Sequence, residues 1–184
     1  MSKYSNKVHA FEPNPIIYKD LKNYLPKVRD NIKLYNFALS DVEEIKDLRI
    51  PIRNSKINKE NYEECYKMGL ASMHENNTFT EFETFKIRTL KLDNIKINNK
   101  VSLIKIDVEG HELEVINGAI KLIKNYKPNL IIEIEERHSK RNIIETINFV
   151  SKIGYKVFVY NNFLKEIKTE ENLDKFNNFI FKSN

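Results

Sequence analysis

The sequence predicts an α/β three-layer sandwich, with a mostly parallel sheet and an antiparallel final strand. Three observations predict it. Strand-like and helix-like runs alternate along most of the 184 residues, which is the pattern of layered α/β domains. Val101–Glu114 (VSLIKIDVEGHELE) passes from a short apolar run through an acidic, glycine-containing turn into a helical period. An apolar run of that length, bounded by a turn residue, reads as a buried strand, most often a parallel one. Near the end, Tyr155–Tyr160 and Asn178–Lys182 are strand-like with no comparable helix pattern between them. They are expected to pair as an antiparallel hairpin at the sheet's edge.

Composition narrows the class. A hydrophobic content of 41% argues against wholesale disorder, and the length suits one domain, residues 1–184. The net charge of +5 permits a nucleic-acid partner, but the lysines are scattered among nearly as many carboxylates rather than gathered in a stripe. No nucleic-acid partner is expected. The single cysteine, Cys65, excludes an intrachain disulfide and a thiolate metal cluster. No apolar run reaches membrane-spanning length, and MSKYSNK lacks the apolar region of a secretory signal. The expectation is a cytoplasmic protein with no membrane partner. Oligomeric state is not readable.

Taken in order, Val8–Phe11 is the first strand, ended by Glu12 and Pro13. Asn14 suits a helix N-cap and Pro15 the first helical position, where a missing N–H costs nothing. Ile17, Leu21 and Leu25 then share one helix face, and the helix is expected to stop before Pro26. Ile32–Phe37 alternates as the next strand, with Ala38–Asp41 as its exit. Glu44–Arg53 is strand-like, and Pro51 assigns it to an edge. Residues 54–84 form an irregular insertion, weakly patterned over Asn54–Glu81 and too long for a simple connection. Its His74 reads as a solvated loop residue. Phe85–Leu92 returns as a strand, and Asp93 is a turn or cap.

After Gly110, Leu113, Ile116, Ile120 and Ile123 predict one helix over roughly Glu112–Tyr126, with Gly118 inside it. Asn129–Glu135 is a second buried strand, in which Glu133 and Glu135 share one face and Ile132 and Ile134 the other. Ser139 is a plausible N-cap for a helix presenting Ile143, Ile147 and Val150, and Gly154 is its stop.

Three segments go further than a generic α/β domain: VHAFEPNP at 8–15, ALSD at 38–41, and LD at 92–93 followed by LIKIDVEGHE at 103–112. In this order and spacing they closely resemble the FkbM-type family of S-adenosylmethionine-dependent methyltransferases, over nearly the whole chain. The resemblance implies a Rossmann-like methyltransferase sandwich with S-adenosylmethionine as cofactor. It also implies O-methylation of a hydroxyl on a sugar or other small metabolite. The family's first strand and Gly-rich turn should precede the AFEPNP segment, yet seven residues precede Val8. The first strand of the family is therefore expected to be missing, with Met1 an internal methionine of a longer ancestral frame. That turn supplies backbone N–H groups for the cofactor's anionic end, so its loss is serious for binding.

Glu12 ends a strand just before a helix, where nucleotide-binding α/β folds place an acidic residue that accepts from ribose hydroxyls. A solvated turn carboxylate is the plainer alternative. Carried over by position, the cofactor-binding residues are Glu12, Asn14, Phe37, Ala38, Leu39 and Asp107. Phe37 or Leu39 would give apolar walls beside the adenine. Asp107, Glu109 and His111 are the catalytic candidates, since a hydroxyl acceptor benefits from a nearby base. The resemblance also implies that Glu109, His111 and Glu112 line the acceptor side, but Glu112 and Glu114 gain from the helix dipole whatever the function, so Glu112 reads rather as a cap or structural partner. Arg137 and His138 could touch an acceptor or simply end their strand in solvent. Asp107, Glu109, His111 and Glu133 are ligand types that divalent ions accept, but no fixed metal motif is present and no metal is assigned. A degenerate homologue without cofactor binding, or another α/β nucleotide binder, stays open as an alternative reading.

Overall fold

The computed structural model describes residues 2–52, 71, 73, 81–134, 143–168, 173 and 175–183. Cys65, Gly69, Leu70, Ser72, His74, Glu135, Arg137, His138 and Ser139 lie outside the described residues. The chain divides into two compact units, Met1–Leu90 and Lys91–Asn184.

In the first unit, β1 (Val8–Phe11) and β2 (Ile32–Tyr35) pair in parallel, Val8 opposite Ile32 and Phe11 opposite Tyr35. Parallel neighbours need a crossover, and α1 (Pro15–Val28) supplies it. Asn14 caps α1, its side-chain oxygen accepting from the Ile16 and Ile17 N–H groups. Ile17, Leu21 and Leu25 form its half-buried face. The helix does not stop before Pro26 but runs through it to Val28. Pro26 lies in the last turn, so its missing N–H forfeits a single bond to the Lys22 carbonyl, and Arg29 N–H still closes the turn onto the Leu25 carbonyl.

The strand expected over Ile32–Phe37 ends at Tyr35, and the chain then steps into a second sheet. There β3 (Ala38–Leu39) pairs in parallel with β5 (Phe82–Leu90), and β5 pairs antiparallel with β4 (Ile45–Pro51). The order β3-β5-β4 leaves β4 at an edge among the described strands, where Pro51 can be tolerated. β5 starts inside the span assigned to the irregular insertion. Ala38, Leu48, Ile50 and Ile87 make the buried core here, with Ile16, Ala71 and Met73 packed against it.

The second unit holds a sheet of order β6-β7-β10-β8-β9. Its strands are β6 (Leu103–Ile106), β7 (Asn129–Glu133), β8 (Tyr155–Asn161), β9 (Phe163–Glu166) and β10 (Asn178–Ser183). β6 and β7 are parallel, whereas β10 is antiparallel to both β7 and β8, and β8 is antiparallel to β9. The final strand is antiparallel as expected. The sheets as a whole are mixed rather than mostly parallel, because the chain closes with three strands not separated by helices. β9, which alternation did not single out, takes the edge, and β10 inserts between β7 and β8. β6 is also less buried than its apolar run implies: it has one described neighbour, and Leu103 is 38% exposed.

The helix expected over Glu112–Tyr126 is two, α2 (Glu112–Asn117) and α3 (Ile120–Tyr126), broken at Gly118–Ala119. Asp93, in a 3₁₀ turn over Leu92–Asn94, occupies the break. Its carboxylate accepts from Lys121 N–H at 2.9 Å and Leu122 N–H at 2.8 Å, while its own N–H donates to the Gly118 carbonyl at 2.9 Å. The backbone groups that a break would orphan are thereby paired. α4 (Ile143–Lys152) buries Ile143, Ile147 and Val150 as the spacing predicts. Gly154, at φ 96°, then turns the chain into β8. Leu130, Ile132, Ile134, Val159, Phe179 and Phe181 form the fully buried face of the sheet, each contributing about 1.5–3 kcal/mol by burial.

Candidate functional site

Two strand ends carry the candidate chemistry, one in each unit. In the first unit β1 runs out at Phe11, and Glu12 N–H donates to the Tyr35 carbonyl, extending the ladder by one residue. The Glu12 carboxylate accepts from Asn14 N–H at 2.8 Å. Burial pushes its pKa up, and the Asn14 N–H bond opposes that rise. Asn36 Nδ2 ties the two strand ends together by donating to the Glu12 carbonyl at 2.9 Å. Asn14 itself is buried, with its side-chain oxygen used in capping α1.

Phe37 sits in an aromatic cluster with Phe11 and Tyr35, at centroid distances of 5.6 and 5.4 Å. His9 extends the row, its Nδ1 lying 2.8 Å from the Tyr35 hydroxyl. Burial and the charges of Lys7 and Lys33 hold the His9 pKa below its ordinary value. The cluster was hidden in plain alternation: His9 and Phe11 share a face of β1, and Tyr35 lies opposite Phe11. Ala38 and Leu39 follow in β3; Ala38 turns its methyl into the core, and Leu39 is half-buried.

In the second unit β6 ends at Ile106 and Asp107 emerges with a side chain 53% exposed. Lys105 Nζ stands 3.2 Å from Asp107 Oδ2 and 3.0 Å from Glu133 Oε2 on β7. Partial burial lowers the Lys105 pKa, but hydrogen bonds to Glu133 and Asp107 outweigh it and the net shift is upward. The register explains the trio. Ile106 lies opposite Ile132, so Asp107 and Glu133 follow side by side, and Lys105 precedes Asp107 by two on the same face. Lys105 was the residue missed from sequence, although its i,i+2 spacing to Asp107 was the available signal.

The turn that follows is sharp. Glu109 has φ 50° and Gly110 φ 96°. The left-handed region costs a non-glycine residue about 1–2 kcal/mol, so Glu109 keeps it only where surrounding bonds determine it. One such bond runs from Gly110 N–H to Glu112 Oε1 at 2.8 Å. Glu112 is 4% exposed. Burial pushes its pKa up; the Gly110 and Glu112 N–H groups oppose this, and the Glu114 and Glu109 charges add to it. His111, the N-cap residue of α2, is 3% exposed, with Nδ1 3.6 Å from Glu114 Oε2. Of the catalytic candidates, the structure thus joins Asp107 to Lys105 and Glu133, and places His111 inside against Glu114. Among the described residues no group of three or more His, Cys, Asp or Glu could hold a metal ion, and no helix is long and apolar enough to cross a membrane.

Each acidic strand end is followed within a few residues by a helix, the arrangement that open α/β sheets share. The chain matches the methyltransferase FkbM domain over residues 1–157, and it belongs to that family. Its fold is similar to the crystal structure of methyltransferase FkbM from Methylobacillus flagellatus KT, with a TM-score of 0.56 at 18% sequence identity. That likeness covers 96% of this chain and 36% of the other, so the chain spans about a third of that protein's length. No curated protein matches the chain.

Proposed function

We propose that this protein is an S-adenosylmethionine-dependent methyltransferase acting on a hydroxyl of a sugar or other small metabolite, within a Rossmann-like sandwich. The family match over residues 1–157 carries the reading, because it takes in both acidic strand ends. The residues at the first end suit the cofactor. A carboxylate offers about four acceptor positions, and Glu12 commits one to Asn14 N–H, leaving capacity for a ribose diol. Phe37 and Leu39, both half-buried, supply apolar surface of the kind an adenine ring takes.

When bound, S-adenosylmethionine supplies a methyl group on a sulfonium, open to in-line attack. The chain's own part is to orient and to hold a proton. Glu12 would hold the ribose through its free carboxylate acceptor positions, and Asp107 would offer its carboxylate to the acceptor. Asp107 and Glu109 stand where β6 ends and offer carboxylate oxygens to an acceptor hydroxyl. A base in reach of that hydroxyl contributes typically about 10²–10⁴-fold. His111, against Glu114, is the third group of the set able to hold a proton.

Calorimetry with S-adenosylhomocysteine tests the reading. Binding to the wild-type chain is expected, with affinity falling about 10- to 100-fold in Glu12→Ala, the size of a lost charged hydrogen-bond pair. A folded chain that takes up no S-adenosylhomocysteine would overturn it.

A further inference from the structure

Glu112 is buried more deeply than helix capping requires. A glutamate in a first helical turn gains the dipole benefit while solvated, yet this one is 4% exposed and reaches backwards to the Gly110 N–H at 2.8 Å. The residues it spans include two successive left-handed positions, Glu109 at φ 50° and Gly110 at φ 96°. Glycine adopts such a φ freely, but glutamate does not. Released from its neighbours, Glu109 would relax to negative φ and swing the chain direction between Asp107 and α2. A bond from the N–H of the very next residue to the Glu112 side-chain oxygen holds that peptide in place.

We infer that Glu112 is a positioning residue: by gripping the Gly110 N–H it fixes the Glu109–Gly110 turn, and through it the direction of the Glu109 carboxylate relative to Asp107 at the end of β6. The inference rests on the methyl-transfer reading for what those carboxylates do, though not for the turn geometry itself. A purely structural role for Glu112 would stabilise the fold and leave ligand affinity untouched. The positioning role ties the two together, since small displacements of aligned groups cost heavily in function.

The test compares the full chain with Glu112→Ala and Glu112→Gln. Gln keeps an oxygen acceptor at the same reach, and Ala removes it. Amide hydrogen exchange at Gly110 is expected to speed up at least tenfold in Glu112→Ala and to stay near wild type in Glu112→Gln. S-adenosylhomocysteine affinity is expected to follow the same order, falling about tenfold in Ala and recovering in Gln. Far-UV circular dichroism establishes that each variant is folded. Should Glu112→Ala not fold, Glu112→Gln decides alone: loss of Gly110 protection in the folded Gln variant overturns the clamp. Unchanged exchange in folded Glu112→Ala overturns it as well. Faster exchange with unchanged affinity overturns the positioning role. If the wild-type chain binds no S-adenosylhomocysteine, the methyl-transfer reading fails and the positioning role fails with it, while Gly110 exchange still decides the clamp.

Discussion

Lys105 bridges two neighbouring parallel strands, its ammonium 3.0 Å from Glu133 on β7 and 3.2 Å from Asp107 at the end of its own strand. Without it two carboxylates would stand side by side at the strand ends, and like charges in that position destabilise. Lys105→Met is expected to lower stability by about 1 kcal/mol, the upper range for partly exposed pairs, and less in high salt, where screening weakens the repulsion. Urea denaturation at two ionic strengths checks it. The contribution is whole at neutral pH, because a lysine with a raised folded-state pKa loses it only as pH climbs through that raised value.

The sign is opposite for Glu112. Its folded-state pKa is raised by burial, so the ionised form is a burden on the fold above that value. The burden fades as pH falls through it into the ordinary carboxylate range, where both states are protonated. Glu112→Gln is therefore expected to raise the thermal midpoint at pH 7 and to give no advantage at pH 4. An equal gain at both pH values would show that charge burial is not the cause.

Asp93 holds the break between α2 and α3 through two backbone N–H groups. Asp93→Ala removes a double cap and is expected to cost about 1–2 kcal/mol. Asp93→Asn, which keeps an acceptor oxygen, should recover part of it. Chemical denaturation of both variants checks the order.

The family resemblance implies a cofactor contact for Asn14, and in the structure its side-chain oxygen caps α1, accepting from the Ile16 and Ile17 N–H groups. Serine caps about as well as asparagine. Asn14→Ala is expected to lose about 1 kcal/mol of stability, and Asn14→Ser much less. S-adenosylhomocysteine affinity separates the roles: a drop in the stable Ser variant marks a direct contact with the cofactor.

The local signals carried well. Asn14 and Pro15 set where α1 begins, alternation located β2 and β5 to within a few residues, and the spacing of Ile143, Ile147 and Val150 named the buried face of α4. The same logic placed Glu12 and Asp107 at the carboxyl ends of β1 and β6, because a strand's end and a helix's start are both written within a few residues. Such features depend on neighbours along the chain, where period and capping act.

Partners distant in sequence were decided only by the fold. Nothing near Asp93 indicates that it caps a helix 27 residues further on, so the break in the helix after Gly110 could not be anticipated. The pairing of β10 with both β7 and β8 depends on which edges were open, and it made the sheet mixed where strand–helix alternation pointed to a mostly parallel one. The burial of Glu112 and the bridging by Lys105 follow from register and packing between elements. Composition specifies which groups carry charge; the tertiary structure settles which of them lose their water and what they face when they do.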